Sequence, residues 1–217
     1  MNERRIYIVD DDDALRQSVE VLLDVAGGFV TRSFASGEDF LAEMPRMEAG
    51  CVLLDLNMPG LNGLEVLHRL QRLDNRFETI LLTGQGDIGV AVEAMKAGAI
   101  DFIEKPYDNR MLLGALENGF ARVEDREKEA SAIQSARDGI DRLTPRERDV
   151  LLGLIDGKAN KIIAYELDIS PRTVEIYRAN LMDKLGVRSV AEAVRIAFAA
   201  GLVPVFPPVI RALGSRP

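Results

Sequence analysis

The first half of the chain alternates short apolar runs with helical patterns, and this alternation constrains its fold more than any other feature. The runs lie near 5–9, 29–33, 51–55, 79–82 and 101–103, and the helical patterns lie near 13–26, 37–45, 63–73, 87–97 and 109–121. Strands that alternate with helices pair in parallel, with right-handed crossovers between them. The sequence therefore predicts an α/β fold, a five-stranded doubly wound parallel sheet.

Polar side chains follow the apolar runs at the points where the strands end. In an open parallel sheet the carboxyl ends of the strands share one edge, and ligands bind there. Three carboxylates at that edge repel one another, so a hard cation such as Mg²⁺ is expected among them. A lysine ammonium and a threonine hydroxyl suit phosphoryl oxygens. The residues expected to meet are Asp10, Asp11, Asp55, Thr83 and Lys105.

The acidic run at 10–13 contains residues of two kinds. Asp10 and Asp11 directly follow a strand, and we interpret them as metal ligands. Asp12 and Asp13 stand where a helix starts, where the helix dipole favours acidic side chains in any case. We therefore expect this second pair to be capping or first-turn residues.

Taken in order, these segments resemble the receiver domain of two-component response regulators, which has a flavodoxin-like sheet. The resemblance rests on residues 6–11, 51–60, 80–84 and 102–106. It implies that Asp55 accepts phosphate from a sensor histidine kinase, that Thr83 and Lys105 bind the phosphoryl group, and that Phe102 changes rotamer with it. The Mg²⁺ ligands that it implies are Asp10, Asp11, Asp55 and the backbone carbonyl of Asn57. Lys105-Pro106 is a candidate cis peptide bond that would aim the lysine into the site.

Composition sets wider limits. A length of 217 residues suits two small domains, and 47% apolar with 29% charged residues is ordinary for a globular protein. No apolar run approaches 18 residues and no basic-plus-apolar leader is evident, so the expected location is cytoplasmic, without a membrane contact. The one cysteine, Cys51, is predicted to be a small buried hydrophobe, and the one histidine, His68, a surface residue.

The formal net charge of −8 is unevenly distributed. Residues 1–140 carry 15 Lys and Arg against 26 Asp and Glu, a net of −11, whereas residues 141–217 carry 12 against 9, a net of +3. Such an asymmetry favours a nucleic-acid partner for the second half, although +3 alone is a modest charge.

A charged helical connector is predicted over 122–142, with too little apolar surface for a core element. A spacer and a dimerising or signal-carrying helix are both consistent with it. Four helices follow, with capping boxes predicted at 144–147 and 189–192, Asn160 as a cap and Ser170-Pro171 as the start of a longer helix. A short helix, a tight turn and a longer helix form a helix-turn-helix, whose second helix lies in the DNA major groove.

This second half resembles the four-helix DNA-binding domain of LuxR-type regulators. The resemblance rests on Leu143, Thr144, Pro145, Arg146, Glu147, Asn160, Lys161, Ile163, Ala164, Leu167, Ile169, Ser170, Thr173, Val174 and residues 184–187. Together the halves resemble response regulators of the NarL/FixJ type, and the spacing at 82–87 is closer to the FixJ side. The predicted domains are a phosphoacceptor receiver (1–121), a linker (122–142), a DNA-binding domain (143–202) and a Pro-containing tail (203–217).

Helix phase separates a core face from a DNA face over residues 171–185. At about 100° per residue, one stripe consists of Val174, Tyr177, Leu181 and Leu185. The opposite face consists of Arg172, Ile176, Ala179 and Asp183, flanked by Glu175 and Asn180. The resemblance likewise indicates Glu175, Ile176 and Ala179 as groove-facing, where Glu175 could accept from a cytosine amino group and Ile176 could contact a thymine methyl. Phosphate contacts are predicted for Lys161, Arg172, Thr173, Tyr177, Arg178 and Lys184, with core packing as an alternative for Arg178 and Tyr177.

The last predicted helix, 190–200, is apolar on nearly all sides, and a two-fold partner is the expected cover for its exposed part. Paired recognition helices would then meet two half-sites about one DNA turn apart. Residues 203–210 are expected to pack as an extended strip on a domain surface.

The combined prediction is a transcription regulator without enzymatic activity, which forms a homodimer on activation, binds double-stranded promoter DNA and has RNA polymerase as a further partner. A phosphatase with an aspartate nucleophile is an alternative, but it typically has a second carboxylate two residues on, where this chain has Asn57. A regulator switched by protein contact alone, whose receiver is a docking module, is a second alternative. That class does not require the acidic pair together with Asp55, Thr83 and Lys105.

Overall fold

The computed structural model describes residues 3–73, 76–84 and 88–202. The chain divides into two compact units, a first unit that ends at Glu127 and a second unit that begins at Lys128. The predicted strip at 203–210, and position 87 at the predicted start of a helix, lie outside the described residues.

The first unit is a five-stranded sheet in which every neighbouring pair is parallel, with the strand order β2-β1-β3-β4-β5. The predicted α/β fold class is confirmed. The strands are β1 Arg4–Val9, β2 Phe29–Phe34, β3 Gly50–Asp55, β4 Phe77–Thr83 and β5 Asp101–Glu104. The helices are α1 Asp13–Ala26, α2 Gly37–Glu43, α3 Gly63–Leu73, α4 Ile88–Lys96 and α5 Asn109–Asp141.

Two apolar cores form on the two faces of the sheet because successive side chains of a strand point to opposite faces. Along β1, Ile6 and Ile8 enter one core, whereas Tyr7 and Val9 enter the other. The first core also receives side chains of α1 and α5, and the second receives side chains of α2, α3 and α4. This layering buries the strands on both sides and leaves their carboxyl ends for polar residues.

Two element boundaries differ from the sequence prediction by two residues, and several others differ by one. Helix α2 ends at Glu43, two residues early, and a short 3₁₀ helix Met44–Arg46 follows it. Pro45 explains the change, because proline has no N–H to donate within a helix. Strand β4 begins at Phe77 and not at 79. The charged residue Glu78 interrupts the apolar pattern, so the pattern did not indicate this part of the strand.

Helix α5 continues through most of the predicted connector, up to Asp141. The prediction that this stretch has too little apolar surface for a core element is wrong at both of its ends. Val123 is buried in the first unit, and Ile140 belongs to the core of the second unit. Because these apolar residues stand far apart among charged ones, the sequence pattern did not show them as a face.

The second unit contains four further helices, which are α6 Pro145–Ile155, α7 Asn160–Glu166, α8 Pro171–Leu185 and α9 Val190–Ala199. Their apolar faces form one core around Val150, Leu151 and Ile163. The capping box at Thr144 is confirmed, since Thr144 Oγ1 accepts from the Glu147 N–H and Glu147 Oε2 accepts from the Thr144 N–H.

Two of the other predicted caps need correction. Asn160 is the first residue of α7 and not its cap; Ala159 holds the cap position without a side-chain bond. At α9, Ser189 accepts from the Glu192 N–H as predicted, but Glu192 Oε2 accepts from the Arg188 N–H, one residue before the expected partner.

Candidate functional site

The polar residues at the carboxyl ends of the strands come together as predicted. Asp10 follows β1, Asp55 is the last residue of β3, Thr83 is the last residue of β4 and Lys105 follows β5. Strands β1 and β3 are neighbours, and the strand order reverses between them, which opens a crevice at their ends. Asp10 and Asp55 are 1% and 5% exposed, so water screens them poorly.

Lys105 joins two of the carboxylates. Its Nζ lies 2.7 Å from Asp10 Oδ2 and 2.5 Å from Asp55 Oδ1. Burial alone lowers the pKa of this lysine, but its hydrogen bonds with the two aspartates raise the pKa above the ordinary value. The ammonium is therefore charged at neutral pH. The predicted cis peptide bond Lys105-Pro106 is present, and the Lys105 N–H donates to the Thr83 carbonyl over 2.6 Å.

Backbone N–H groups hold the remaining oxygens of the same two carboxylates. Asp55 Oδ2 accepts from the Asn57 N–H at 2.8 Å, and Asp10 Oδ1 accepts from the Asp12 N–H at 2.9 Å. Each carboxylate is thus fixed by one backbone donor and by one charged side chain. Fixed carboxylates need little reorganisation when a cation or a phosphoryl group arrives.

The acidic cluster has the donor set that a hard cation requires. Ligand oxygens of Asp10, Asp11 and Asp55 all lie within 4.8 Å of one another. Asp11 is exposed, so one side of the cluster is open to solvent. Oxygen ligands of this kind fit Mg²⁺, a hard cation that retains several waters when a protein binds it.

The next two aspartates serve the helix, as predicted. Asp12 caps α1 and accepts from the N–H groups of Ala14 and Leu15. Asp13 is the first residue of α1 and forms an ion pair with Arg16.

Three further residues surround the site. Thr83 is fully buried and Phe102 is half-buried against the core under α2, α3 and α4. Tyr107, which was not among the predicted site residues, is also half-buried, and burial raises its pKa. It lines an open groove of about 830 Å³ together with Leu15, Leu22, Val25 and Lys105. The sequence signal for Tyr107 was an aromatic residue two positions after the strand-end lysine.

Helix α8 presents the predicted faces. Val174, Leu181 and Leu185 are buried, and Tyr177 packs partly against the same core. The opposite side is exposed, and Ile176 is 53% exposed although it is apolar. The exposed residues of this side are Arg172, Glu175, Ile176, Ala179, Asn180 and Asp183. The helix begins with the cap Ser170, whose Oγ accepts from the Thr173 N–H.

Two of the cations predicted to contact phosphate have side-chain partners within the protein. Arg178 Nη1 donates to Asn160 Oδ1 at 2.6 Å, and Lys184 Nζ lies 2.7 Å from Glu147 Oε2. Glu147 is only 3% exposed. Its burial favours a higher pKa, but the bonds from Lys184 and Thr144 hold the pKa below the ordinary value.

Lys161 and Arg172 differ from these two cations. Both are exposed, and neither has an ion pair among the residues that the structure describes. Lys161 stands in the first turn of α7, and Arg172 in the first turn of α8. Their ammonium and guanidinium groups are therefore open to an external anion.

Helix α9 exposes part of its apolar surface. Ala193 and Ala197 are buried in the core of the second unit, whereas Phe198 is 38% exposed and Ala191 and Ala199 are exposed. Val194 is half-buried. Only one stripe of this apolar helix is therefore covered within its own unit.

The first unit is a parallel sheet with an aspartate and lysine site at its carboxyl edge, and the second unit contains a helix-turn-helix. This combination defines a DNA-binding regulator that is controlled by phosphorylation. The sequence profile of the response regulator receiver domain matches residues 6–117. The profile of bacterial regulatory proteins of the luxR family matches residues 141–197. The chain belongs to the response regulators of the NarL/FixJ family, which join these two domains and regulate transcription through phosphorylation.

Similar proteins match almost the whole chain. The transcriptional regulatory protein FixJ of Bradyrhizobium diazoefficiens is 45% identical over 198 residues, which cover 91% of this chain and 96% of that protein. FixJ of Rhizobium meliloti is 41% identical over 204 residues, 94% of this chain and 100% of that protein. The structure of the response regulator StyR has a TM-score of 0.80 at 36% identity, and covers 91% of this chain and 99% of its own.

Family membership also indicates the kinds of partner. A receiver domain implies a histidine kinase, and a luxR-family domain implies DNA. Among the described residues, none of the helices has the length and apolar character needed to span a bilayer.

Proposed function

We propose that Asp55 is the phosphoacceptor of this regulator. The observation that carries the proposal is the position of its carboxylate, fixed between the Asn57 N–H and the Lys105 ammonium and beside Asp10 and Asp11. A carboxylate oxygen of Asp55 attacks the phosphorus of a phosphohistidine on the kinase. The P–N bond breaks, its electron pair returns to the imidazole, and an acyl phosphate forms on Asp55.

The surrounding residues assist this transfer. Asp10, Asp11, Asp55 and the carbonyl of Asn57 would hold Mg²⁺, which, when bound, neutralises the clustered negative charge. Lys105 contacts a phosphoryl oxygen in place of its present bond to Asp55, and the Thr83 hydroxyl donates to a second oxygen. Phe102 changes rotamer as Thr83 moves. The half-burial of Phe102 supports this role, because a side chain at the core boundary has room for two positions.

Phosphorylation then promotes dimerisation and DNA binding. The face around Phe102, α4 and the first half of α5 is the proposed contact in the receiver, and the exposed Phe198 of α9 supports a second contact in the DNA-binding domain. A homodimer would bind two half-sites in a promoter with its α8 helices in successive major grooves. RNA polymerase is the proposed partner downstream of DNA binding.

The acceptor is tested with a small phosphodonor and Mg²⁺. Wild-type protein should incorporate one phosphate, and Asp55→Asn should incorporate none because no carboxylate remains to attack. Asp24→Asn, which removes an exposed carboxylate of α1, is the matched control and should behave like wild type. Equal incorporation into Asp55→Asn and the control would refute the assignment.

A further inference from the structure

A buried carboxylate lies at the far end of the sheet from the phosphoryl site. Glu78 is the second residue of β4, and its side chain is only 2% exposed. Acidic side chains are rarely buried in this way without a partner. Its neighbour in register on β3 is Cys51, which belongs to the core shared with α1 and α5. Glu78 therefore faces helix α5, and the phosphoryl chemistry does not use it.

Helix α5 approaches the sheet very closely at this point. A Cβ on Gly119 would lie 2.6 Å from Cys51 Sγ and 3.0 Å from Ile100 Cδ1, so only glycine fits. One turn further, Val123 is buried. The contact continues to Arg126, whose Nη1 lies 3.0 Å from Glu78 Oε1. Arg126 is in the last turn of α5 before the division between the two units.

Positive charges on α5 compensate the buried carboxylate of Glu78. Burial raises its pKa, and the positive charges of Arg126 and Arg122 oppose that rise. The titratable groups that face it are Cys51 from β3 and these two arginines from α5. Glu78 Oε1 has no hydrogen bond of good geometry, so the contact with Arg126 is mainly ionic. Only the carboxylate of this ion pair is buried, because the Arg126 side chain is 45% exposed. Such a pair adds little stability compared with a neutral residue, but it can select one geometry.

We propose that Glu78 is a positioning residue that binds Arg126, with Arg122 as a second cation, and so fixes the last turn of α5 in the first unit. From this turn the same helix runs on to Asp141. Glu78 thereby determines the direction in which α5 leaves the sheet. The consequence for signalling rests on the proposed function, because a helix fixed on the receiver can transmit the state of Asp55.

Hydrogen exchange of the unphosphorylated full chain tests the anchoring directly. Glu78→Gln should speed exchange of the amides at 121–127 by about tenfold or more, because the ionic contact is lost. The melting temperature should stay equal or rise, because a buried charge is removed. Glu117→Gln on the same helix breaks the exposed ion pair of Glu117 with Arg4 of β1. It is the matched control and should leave the exchange at 121–127 unchanged. Unchanged exchange in Glu78→Gln, or faster exchange throughout the unit with a lower melting temperature, would overturn the proposal.

A second variant tests the charge pairing. Arg126→Met leaves the Glu78 carboxylate with a weaker positive environment, so the melting temperature should fall at neutral pH. The deficit should shrink as the pH falls through the raised pKa of Glu78, because the neutral acid needs no cation. It should also be smaller in the Glu78→Gln background. An Arg126→Met deficit that is the same at all pH values and in both backgrounds would contradict the pairing.

These measurements do not depend on the phosphoacceptor. Glu78→Gln should incorporate phosphate at Asp55 as wild type does, while its DNA affinity responds less to phosphorylation. If Asp55 proves not to be the acceptor, the exchange data still decide the role of Glu78. If exchange at 121–127 is unaffected while Asp55 is phosphorylated, only the inference about Glu78 fails.

Discussion

At the scale of single residues, Lys105 occupies the place of a counter-ion. Its ammonium neutralises part of the charge on Asp10 and Asp55, and Asp11 remains exposed without a share in that bond. Lys105 can give up either aspartate when another positive group arrives, because its side chain is flexible and its three N–H donors rotate. The site is therefore arranged for exchange of one positive charge for another.

Substitution of Asp11 tests the metal site. Asp11→Asn should weaken Mg²⁺ binding about tenfold or more, because one of three carboxylate ligands is lost. The same change should raise the stability of the metal-free protein, because a repelling charge is removed. Thermal melts with and without Mg²⁺ measure both effects, with Asp24→Asn as the control. A wild-type melting temperature that is insensitive to Mg²⁺ would count against the cluster.

The sequence predicted these site residues because strand ends of a parallel sheet converge. To predict that Asp10, Asp55, Thr83 and Lys105 meet, only the parallel sheet and the ends of the apolar runs were needed. Tyr107 lay beyond that rule, since it belongs to the segment after the strand. The error at Asn160 has a different cause: Arg178, which is 18 residues away in the sequence, takes the Asn160 side-chain oxygen. Such a tertiary contact has no local signal.

At the scale of elements, α8 combines one buried stripe with one exposed face, and helix periodicity was sufficient to separate them. Periodicity could not distinguish cations that are free to bind phosphate from cations that hold the domain together. Lys184 and Arg178 are bound to Glu147 and Asn160, whereas Lys161 and Arg172 are exposed. The two kinds of cation lead to different expectations for DNA binding and for stability.

The DNA contacts of α7 and α8 should be of two kinds, base contacts that determine sequence preference and phosphate contacts that add affinity without preference. Glu175→Ala and Ile176→Ala should change preference between operator sequences, by about 1–3 kcal/mol for a lost base contact. Lys161→Ala should weaken operator and random DNA equally and lower the salt slope by about one unit. Salt titrations on both kinds of DNA measure these effects. If Glu175→Ala leaves the preference intact while Lys161→Ala alters it, the groove-facing residues have been assigned wrongly.

Lys184→Ala should destabilise the second unit as well as any DNA complex. The pKa of Glu147 is lowered in the folded protein, so its contribution to stability is present above the ordinary value of 4.5 and is lost as the pH falls through the folded value. Removal of Lys184 should therefore lower the free energy of unfolding by about 1 kcal/mol at pH 7, and by much less in acid. The value at pH 7 allows for the partial solvent exposure of the lysine. Urea denaturation at both pH values measures this, with Lys161→Ala as the control. If Lys184→Ala lowered the free energy of unfolding equally at both pH values, the effect of Lys184 would not depend on Glu147.

At the scale of the whole molecule, an acidic receiver is joined to a weakly basic DNA-binding domain. The sequence predicted both folds and the helical character of the connector, because caps and apolar periods are local signals. It did not predict that the apolar residues at the ends of the connector, Val123 and Ile140, are buried, because each stands alone among charged residues. Val123 and Ile140 therefore mark the parts of α5 that are packed in the first and in the second unit.

The two halves should be separable in function. We expect the receiver to inhibit DNA binding until it is phosphorylated, as its net charge of −11 against +3 favours. The second unit alone, residues 128–217, should then bind operator DNA without phosphate, whereas the full chain should need Mg²⁺ and a phosphodonor to reach the same affinity. Gel-shift titrations of both proteins at one salt concentration measure this. Full-length unphosphorylated protein that binds as tightly as phosphorylated protein would exclude inhibition.

The close approach of α5 at Gly119 also makes Cys51, the one cysteine of the chain, unreactive towards thiol reagents. The thiol is fully buried, and burial raises its pKa to about 12, so almost no thiolate is available to an alkylating reagent. A cysteine introduced on the surface can therefore carry a fluorescent probe without removal of the native one. The rate at which Cys51 itself is labelled then measures openings of the first unit that expose its sulfur, among them separation of α5 from the sheet at Gly119.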